Sequence, residues 1–133
     1  IAHPDWISEF EKTRLPYNTN ILSQTAVSFA LEHATILNEQ SQRIREERSR
    51  LTLGLSERGF EVWPSEANFV VMGCRANQAR PLFDALKGHR ILVKCLDGSH
   101  RRLKDTLRVT VGAPEETDAL LAALDHLAAE FGR

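Results

Sequence analysis

The chain is poor in the residues that most sharply narrow a function. Its two cysteines, Cys74 and Cys95, form no CxxC pair, so neither a disulfide framework nor a thiolate metal site has a basis, and reduced thiols of a cytosolic protein are the expectation. No apolar run approaches the roughly 20 residues of a membrane span. No charged stretch leads into an apolar one at the start, as an export signal requires. Charge of one sign is also lacking: 17 Lys and Arg against 18 Asp and Glu leave a formal net charge of −1, and no overall field to hold a polyanion. The basic stretch His100-Arg101-Arg102-Leu103-Lys104 has neither the interleaved aromatics of a single-strand binder nor the helical frame of a groove reader. Cytoplasm is the expected location, with neither nucleic acid nor membrane as partner.

Catalytic signatures are scarce too. The sequence contains no GxSxG, no P-loop and no GxGxxG, which removes the nucleophile-elbow and phosphate-cradle readings. Its five histidines, His3, His33, His89, His100 and His126, show no HExxH or paired spacing, and no metal is expected. The chain opens at Ile1 rather than at a methionine, and an upstream part of a longer protein is the expectation.

What is present is the makeup of a single globular α/β domain: 133 residues, 42% hydrophobic and 26% charged. Pro4 with Asp5 and Glu9 predicts a first helix over 5–14, and Pro16, Asn18 and Asn20 predict the loop after it. From Leu22 no Gly or Pro occurs until Gly54, and apolar residues recur at three- and four-residue steps, predicting one long helix or two. In its polar middle, Arg43, Arg45, Arg48 and Arg50 alternate with acids; they read as a solvated face rather than a phosphate strip, with Glu46 and Arg50 as an i,i+4 pair.

Gly59 ends that helix, and strands follow at 60–63 and 68–72. Their short turn, Pro64-Ser65, should make them antiparallel neighbours. Asn77 is the expected cap of a helix that closes at Gly88, with Leu82, Phe83 and Leu86 as its buried stripe. Ile91-Leu92-Val93 reads as a strand, and 96–105 as a polar loop. Leu107-Arg108-Val109-Thr110-Val111 alternates, placing Leu107, Val109 and Val111 on one sheet face and Arg108 with Thr110 on the other. Pro114 starts the last helix, striped by Leu120, Leu121, Leu124, Leu127 and Phe131. The fold class is α/β of the α+β type, an antiparallel or mixed sheet covered by helices.

Three stretches carry more than local structure: Leu15-Pro16-Tyr17-Asn18-Thr19-Asn20-Ile21-Leu22-Ser23-Gln24, Pro64-Ser65-Glu66-Ala67-Asn68-Phe69-Val70, and Leu107-Arg108-Val109-Thr110-Val111-Gly112-Ala113-Pro114-Glu115-Glu116. In this order, with Ile91-Leu92-Val93-Lys94 between the last two, they resemble the C-terminal part of histidinol-phosphate aminotransferases. The resemblance runs from about residue 3 to residue 127, nearly the whole chain.

It implies the C-terminal small domain of the aspartate-aminotransferase-like fold over 23–133. Residues 1–22 would then be the end of the large-domain region and the interdomain connection. The implied enzyme is a homodimer that uses pyridoxal phosphate to move an amino group between histidinol phosphate and 2-oxoglutarate, in histidine biosynthesis. Its Schiff-base lysine follows a serine by a few residues in the large domain; Lys12, Lys87, Lys94 and Lys104 fit no such pattern. The catalytic centre is therefore expected before residue 1, because transamination needs that lysine and an electron sink held in place.

For this chain the resemblance leaves recognition of the substrate's anionic end. Arg108 matches the family's arginine in the Leu-Arg-x-Thr-Val-Gly strand, and a guanidinium fork suits a carboxylate or phosphate. Lys94 stands where many members carry a second, phosphate-contacting arginine; a lysine keeps the charge and loses the fork. Asn68 and Tyr17 lie in motif loops and are further candidates for the domain cleft, with a turn residue and a packed ring as their plainer roles. Two alternatives stand beside this reading. One is an aminotransferase of the same fold acting on an aromatic or other amino acid. The other is a non-enzymatic α/β ligand-binding or dimerisation module, against which the 22–37 helix speaks by being apolar on more than one side.

Overall fold

The computed structural model describes residues 2–15 and 19–131. They fall into two compact units, Ile1–Glu39 and Gln40–Arg133.

The first unit is helical. Helix α1 spans Pro4–Thr13, with His3 as its N-cap and Pro4 in the first turn, where a missing N–H costs nothing. Helix α2 spans Ile21–Glu32 and is capped by Asn20, whose side chain accepts from the Ser23 N–H at 2.9 Å. His33 departs from helical geometry. Helix α3, Ala34–Glu57, starts after it and continues into the second unit. Neither α1 nor α2 buries a residue, and Trp6, Phe10, Ile21, Leu22 and Phe29 are all exposed.

The second unit holds the core. After α3 come β1 (Glu61–Trp63), β2 (Phe69–Gly73), α4 (Ala79–Gly88), β3 (Lys94–Cys95), β4 (Thr106–Thr110), α5 (Pro114–His126) and a short α6 (Ala128–Phe131). The four strands form one antiparallel sheet in the order β1-β2-β4-β3. One face carries Val70, Met72, Leu107 and Val109 into a cluster with Leu51 and Leu55 of α3, Leu82 and Leu86 of α4, and Leu120 and Leu124 of α5. Burying each of these large side chains contributes about 1.5–3 kcal/mol of transfer free energy.

Local chemistry sets the joints. Gly59 takes a φ of 81°, the left-handed conformation that ends α3 with Phe60 N–H donating back to Leu55 O at 3.1 Å. At the start of α5 the Glu116 carboxylate accepts from the Ala113 N–H at 2.8 Å. A side chain on Gly112 would push that carboxylate off the Ala113 N–H.

Five expectations from the sequence are corrected. Asn77 is not a cap: it has a φ of 61°, and α4 starts after Gln78 without a side-chain cap. Ile91-Leu92-Val93 is not a strand. The chain leaves α4 through Arg90 at a φ of 64°, and the Ile91 N–H donates to Leu86 O at 2.9 Å, so pairing with β4 begins only at Lys94. The last helix breaks at Leu127 into α5 and α6, although Phe131 still reaches the core. Glu46 and Arg50 do not pair; Arg50 bonds Glu47 and Asp118, and Glu46 accepts from Gln42. Nor are Arg48 and Arg50 free solvated residues: Arg48, largely buried, reaches Glu66 and Ala67 O, tying α3 to the β1–β2 turn, while Arg50, still partly exposed, ties it to α5.

Candidate functional site

The second face of the sheet is not covered by α3, α4 or α5, and it holds the residues of interest. Side chains alternate along a strand, so with Leu107 and Val109 in the core, Arg108 stands on the open face. The register aligns four residues across the strands: Trp63 opposite Val71, Val71 opposite Arg108, and Arg108 opposite Lys94. Lys94 and Arg108 are thus direct cross-strand neighbours, a like-charge pairing that destabilises a sheet unless something compensates it.

No carboxylate does so among the described residues. Arg48, Arg50 and Arg58 each hold a carboxylate at between 2.6 and 2.8 Å, whereas neither Lys94 nor Arg108 takes part in an ion pair. Lys94 is exposed and has water; Arg108 is half-buried, and its Nε is buried without a hydrogen-bond partner. A buried donor left unsatisfied costs about 1–3 kcal/mol. Arg108 does have a neighbour in the aromatic ring of Phe69, 5.2 Å from its guanidinium carbon to the ring centroid, within cation–π range.

The β1–β2 turn is braced at several points. Ser65 Oγ donates to Phe69 O at 2.6 Å and accepts from the Ala67 N–H at 3.1 Å, and Arg48 donates to Ala67 O at 3.0 Å. Asn68 O accepts from the Val111 N–H at 2.8 Å, extending the β2–β4 ladder by one bond. Its side chain is exposed, and strand alternation puts it in step with Val70 rather than Phe69. Arg108 and Lys94 are therefore brought together, whereas Asn68 meets β4 at Val111, three positions along from Arg108. Tyr17 lies outside the described residues.

A cleft of about 400 Å³ lies elsewhere, lined by Ile91, Val93, Val109, Thr110 and Leu120 among others. It opens where 91–93 fails to pair with β4, and Arg108, Lys94 and Asn68 do not line it. Reasoning from sequence missed Phe69 as part of the site. Its parity on β2 was legible; its position diagonal to Arg108 required the register between strands that are far apart in the chain.

None of the four lysines has the surroundings that pyridoxal phosphate requires. Lys12 is exposed and tied to Glu9, and Lys87, Lys94 and Lys104 are exposed as well. A Schiff-base lysine is activated by desolvation or by a neighbouring cation in a formed pocket, and none of these four stands in one. The described residues do not fit the cofactor, and no step through it is derived from them.

The helix-covered antiparallel sheet agrees with the family match. The model of aminotransferase class I and II matches residues 1–124, and the chain belongs to that family. Among curated relatives, it is 46% identical over 126 residues to histidinol-phosphate aminotransferase of Chromobacterium violaceum, covering 94% of this chain and 35% of that protein. It is 43% identical over 125 residues to histidinol-phosphate aminotransferase 2 of Nitrosococcus oceani, covering 93% and 35%. The solved histidinol-phosphate aminotransferase of Sinorhizobium meliloti, in complex with pyridoxal-5'-phosphate, superposes with a TM-score of 0.73 at 26% identity, over 95% of this chain and 34% of that one. The chain thus spans about a third of the length of the relatives it matches.

Proposed function

We propose that this chain is the substrate-gripping small domain of a pyridoxal-phosphate-dependent histidinol-phosphate aminotransferase, in which Arg108 and Lys94 hold the donor's phosphate. The observation that carries the reading is the cross-strand pair of cations with no carboxylate beside it. An anion placed between them relieves their repulsion and gives the terminal Nη groups of the guanidinium a charged acceptor. Arg108 supplies the directional fork and Lys94 a mobile point charge. The names of the relatives support phosphate as the anion. On this reading the cofactor and its lysine belong to the rest of the protein, 2-oxoglutarate is the amino acceptor, and the whole enzyme is a cytoplasmic homodimer. Residues 1–22 connect to the larger domain.

The test is steady-state kinetics on the whole protein. Arg108→Met keeps the apolar stem and removes the fork; loss of hydrogen bonds to a charged group, about 1.5–3 kcal/mol, predicts a KM for histidinol phosphate raised by roughly 10- to 100-fold. Lys94→Gln should raise it by less. An unchanged KM in Arg108→Met would sink the anion grip. Turnover of phenylalanine at least as good as that of histidinol phosphate would keep an aminotransferase and discard phosphate as the determinant.

A further inference from the structure

We infer that Phe69 is a positioning residue for Arg108, setting the plane and the working edge of the guanidinium before the anion arrives. The inference rests on the anion-site reading above. An arginine on an open sheet face has four rotatable bonds and no intrinsic reason to hold one orientation. Here two things limit it. Phe69 pairs with Thr110 while Arg108 pairs with Val71, so the two side chains are diagonal neighbours on one face, a spacing that aromatic and long side chains bridge. The ring lies 5.2 Å from the guanidinium carbon. Nε is shut off from solvent with no acceptor, so an anion arriving from the open face has only the terminal Nη pair to grip.

The position of Phe69 is itself held. Its carbonyl accepts from Ser65 Oγ, and the turn before it is tied to Arg48 of α3. A ring fixed to the frame in this way pre-organises the fork, which lowers the cost of ordering it on binding. Leucine at this position preserves apolar volume and removes the π face; tryptophan preserves the face.

The test uses the whole protein saturated with pyridoxal phosphate, so that the cofactor's own phosphate site is filled. Binding of inorganic phosphate is measured by calorimetry, alongside kcat and KM for histidinol phosphate. Phe69→Leu should weaken phosphate about threefold to fivefold, as loss of a surface cation–π contact implies, and raise KM by a similar factor with a smaller change in kcat. Phe69→Trp should restore both. Wild-type phosphate affinity in Phe69→Leu, with Arg108→Met impaired, would remove the role of Phe69 and leave the anion site standing. Wild-type affinity in Arg108→Met would remove both. Equal losses in kcat and affinity that tryptophan does not rescue would mark Phe69 as merely structural and overturn the inference.

Discussion

Helix α2 and the second half of α3 are both regular helices, and they contrast in a way their composition does not foretell. Helix α2 carries Ile21, Leu22, Val27, Phe29 and Leu31 and leaves every one exposed. Beyond Gln40, α3 is mostly polar, yet its Leu51 and Leu55 are completely buried. The lesson is that apolar content alone does not make a core; a stripe must meet other stripes. Leu51 and Leu55 meet the sheet and two further helices. A helix that is apolar on several sides gains its stability from a covering surface, and α2 is the element here with most to gain from one.

The largest expected effect tests that contrast directly. In the chain as given, Leu55→Ala should cost about 2–5 kcal/mol, the range for truncating a buried leucine. Phe29→Ala should cost only about 0.5–1.5 kcal/mol, the range for one aromatic pair, since its exposed ring meets the His33 ring at 4.2 Å. Urea unfolding of both variants checks this. A Phe29→Ala loss as large as the Leu55→Ala loss would break the comparison, because the first unit would then have a covered face in solution.

Polar contacts sharpen the same contrast. In the first unit Lys12 and Glu9 pair on an exposed surface, where such pairs contribute little. In the second, Glu47 is buried, and the Arg50 guanidinium holds its carboxyl below the usual carboxylate range, with Thr117 adding a further hydrogen bond. A carboxyl whose pKa falls on folding stabilises the fold above its unfolded value and loses that contribution as pH drops through the folded one. Arg50→Met should therefore lower the urea midpoint at neutral pH, by less than Leu55→Ala does, and the gap from wild type should close on acidification below the carboxylate range. Lys12→Met should leave the midpoint unmoved at either pH. A gap for Arg50→Met that stays constant with pH would show that its contribution is packing rather than charge.

How much of this was legible beforehand follows from the range of each interaction. Alternation over 107–111 placed Leu107 and Val109 inward and Arg108 outward, and the structure agrees, because strand alternation is a property of a few consecutive residues. The stripe of the last helix was readable for the same reason. The facing of Lys94 and Arg108 was not, since it depends on β4 entering the sheet between β2 and β3. The ties of Arg48 and Arg50 were missed likewise: their partners Glu66 and Asp118 lie 18 and 68 residues on. The late start of pairing, at Lys94, came from a left-handed Arg90, a conformation that no sequence signal announces. Arg108 was found through the family resemblance, and the absence of a neutralising carboxylate became visible only with the packing.

A last contrast leaves stability unchanged and is one of reactivity, probing the interior of the second unit against the surface of the first. Burial, and after it the charge of Asp105, pushes the Cys74 thiol up to about 12. At pH 8 only about one such thiol in ten thousand is ionised, and the thiolate is the nucleophile. Ser28 of α2 is exposed, so a reporter thiol placed there by Ser28→Cys should have an ordinary pKa. Peptide-resolved alkylation should then label the reporter about a thousandfold faster than Cys74, with Cys95 followed separately. Raising the pH toward 12 should narrow the gap as the Cys74 thiolate forms, provided the fold survives. Equal rates at pH 8 would mean that the β2 end of the sheet opens to solvent as freely as an uncovered helix, and the contrast between the two units would then describe packing on paper rather than protection in solution.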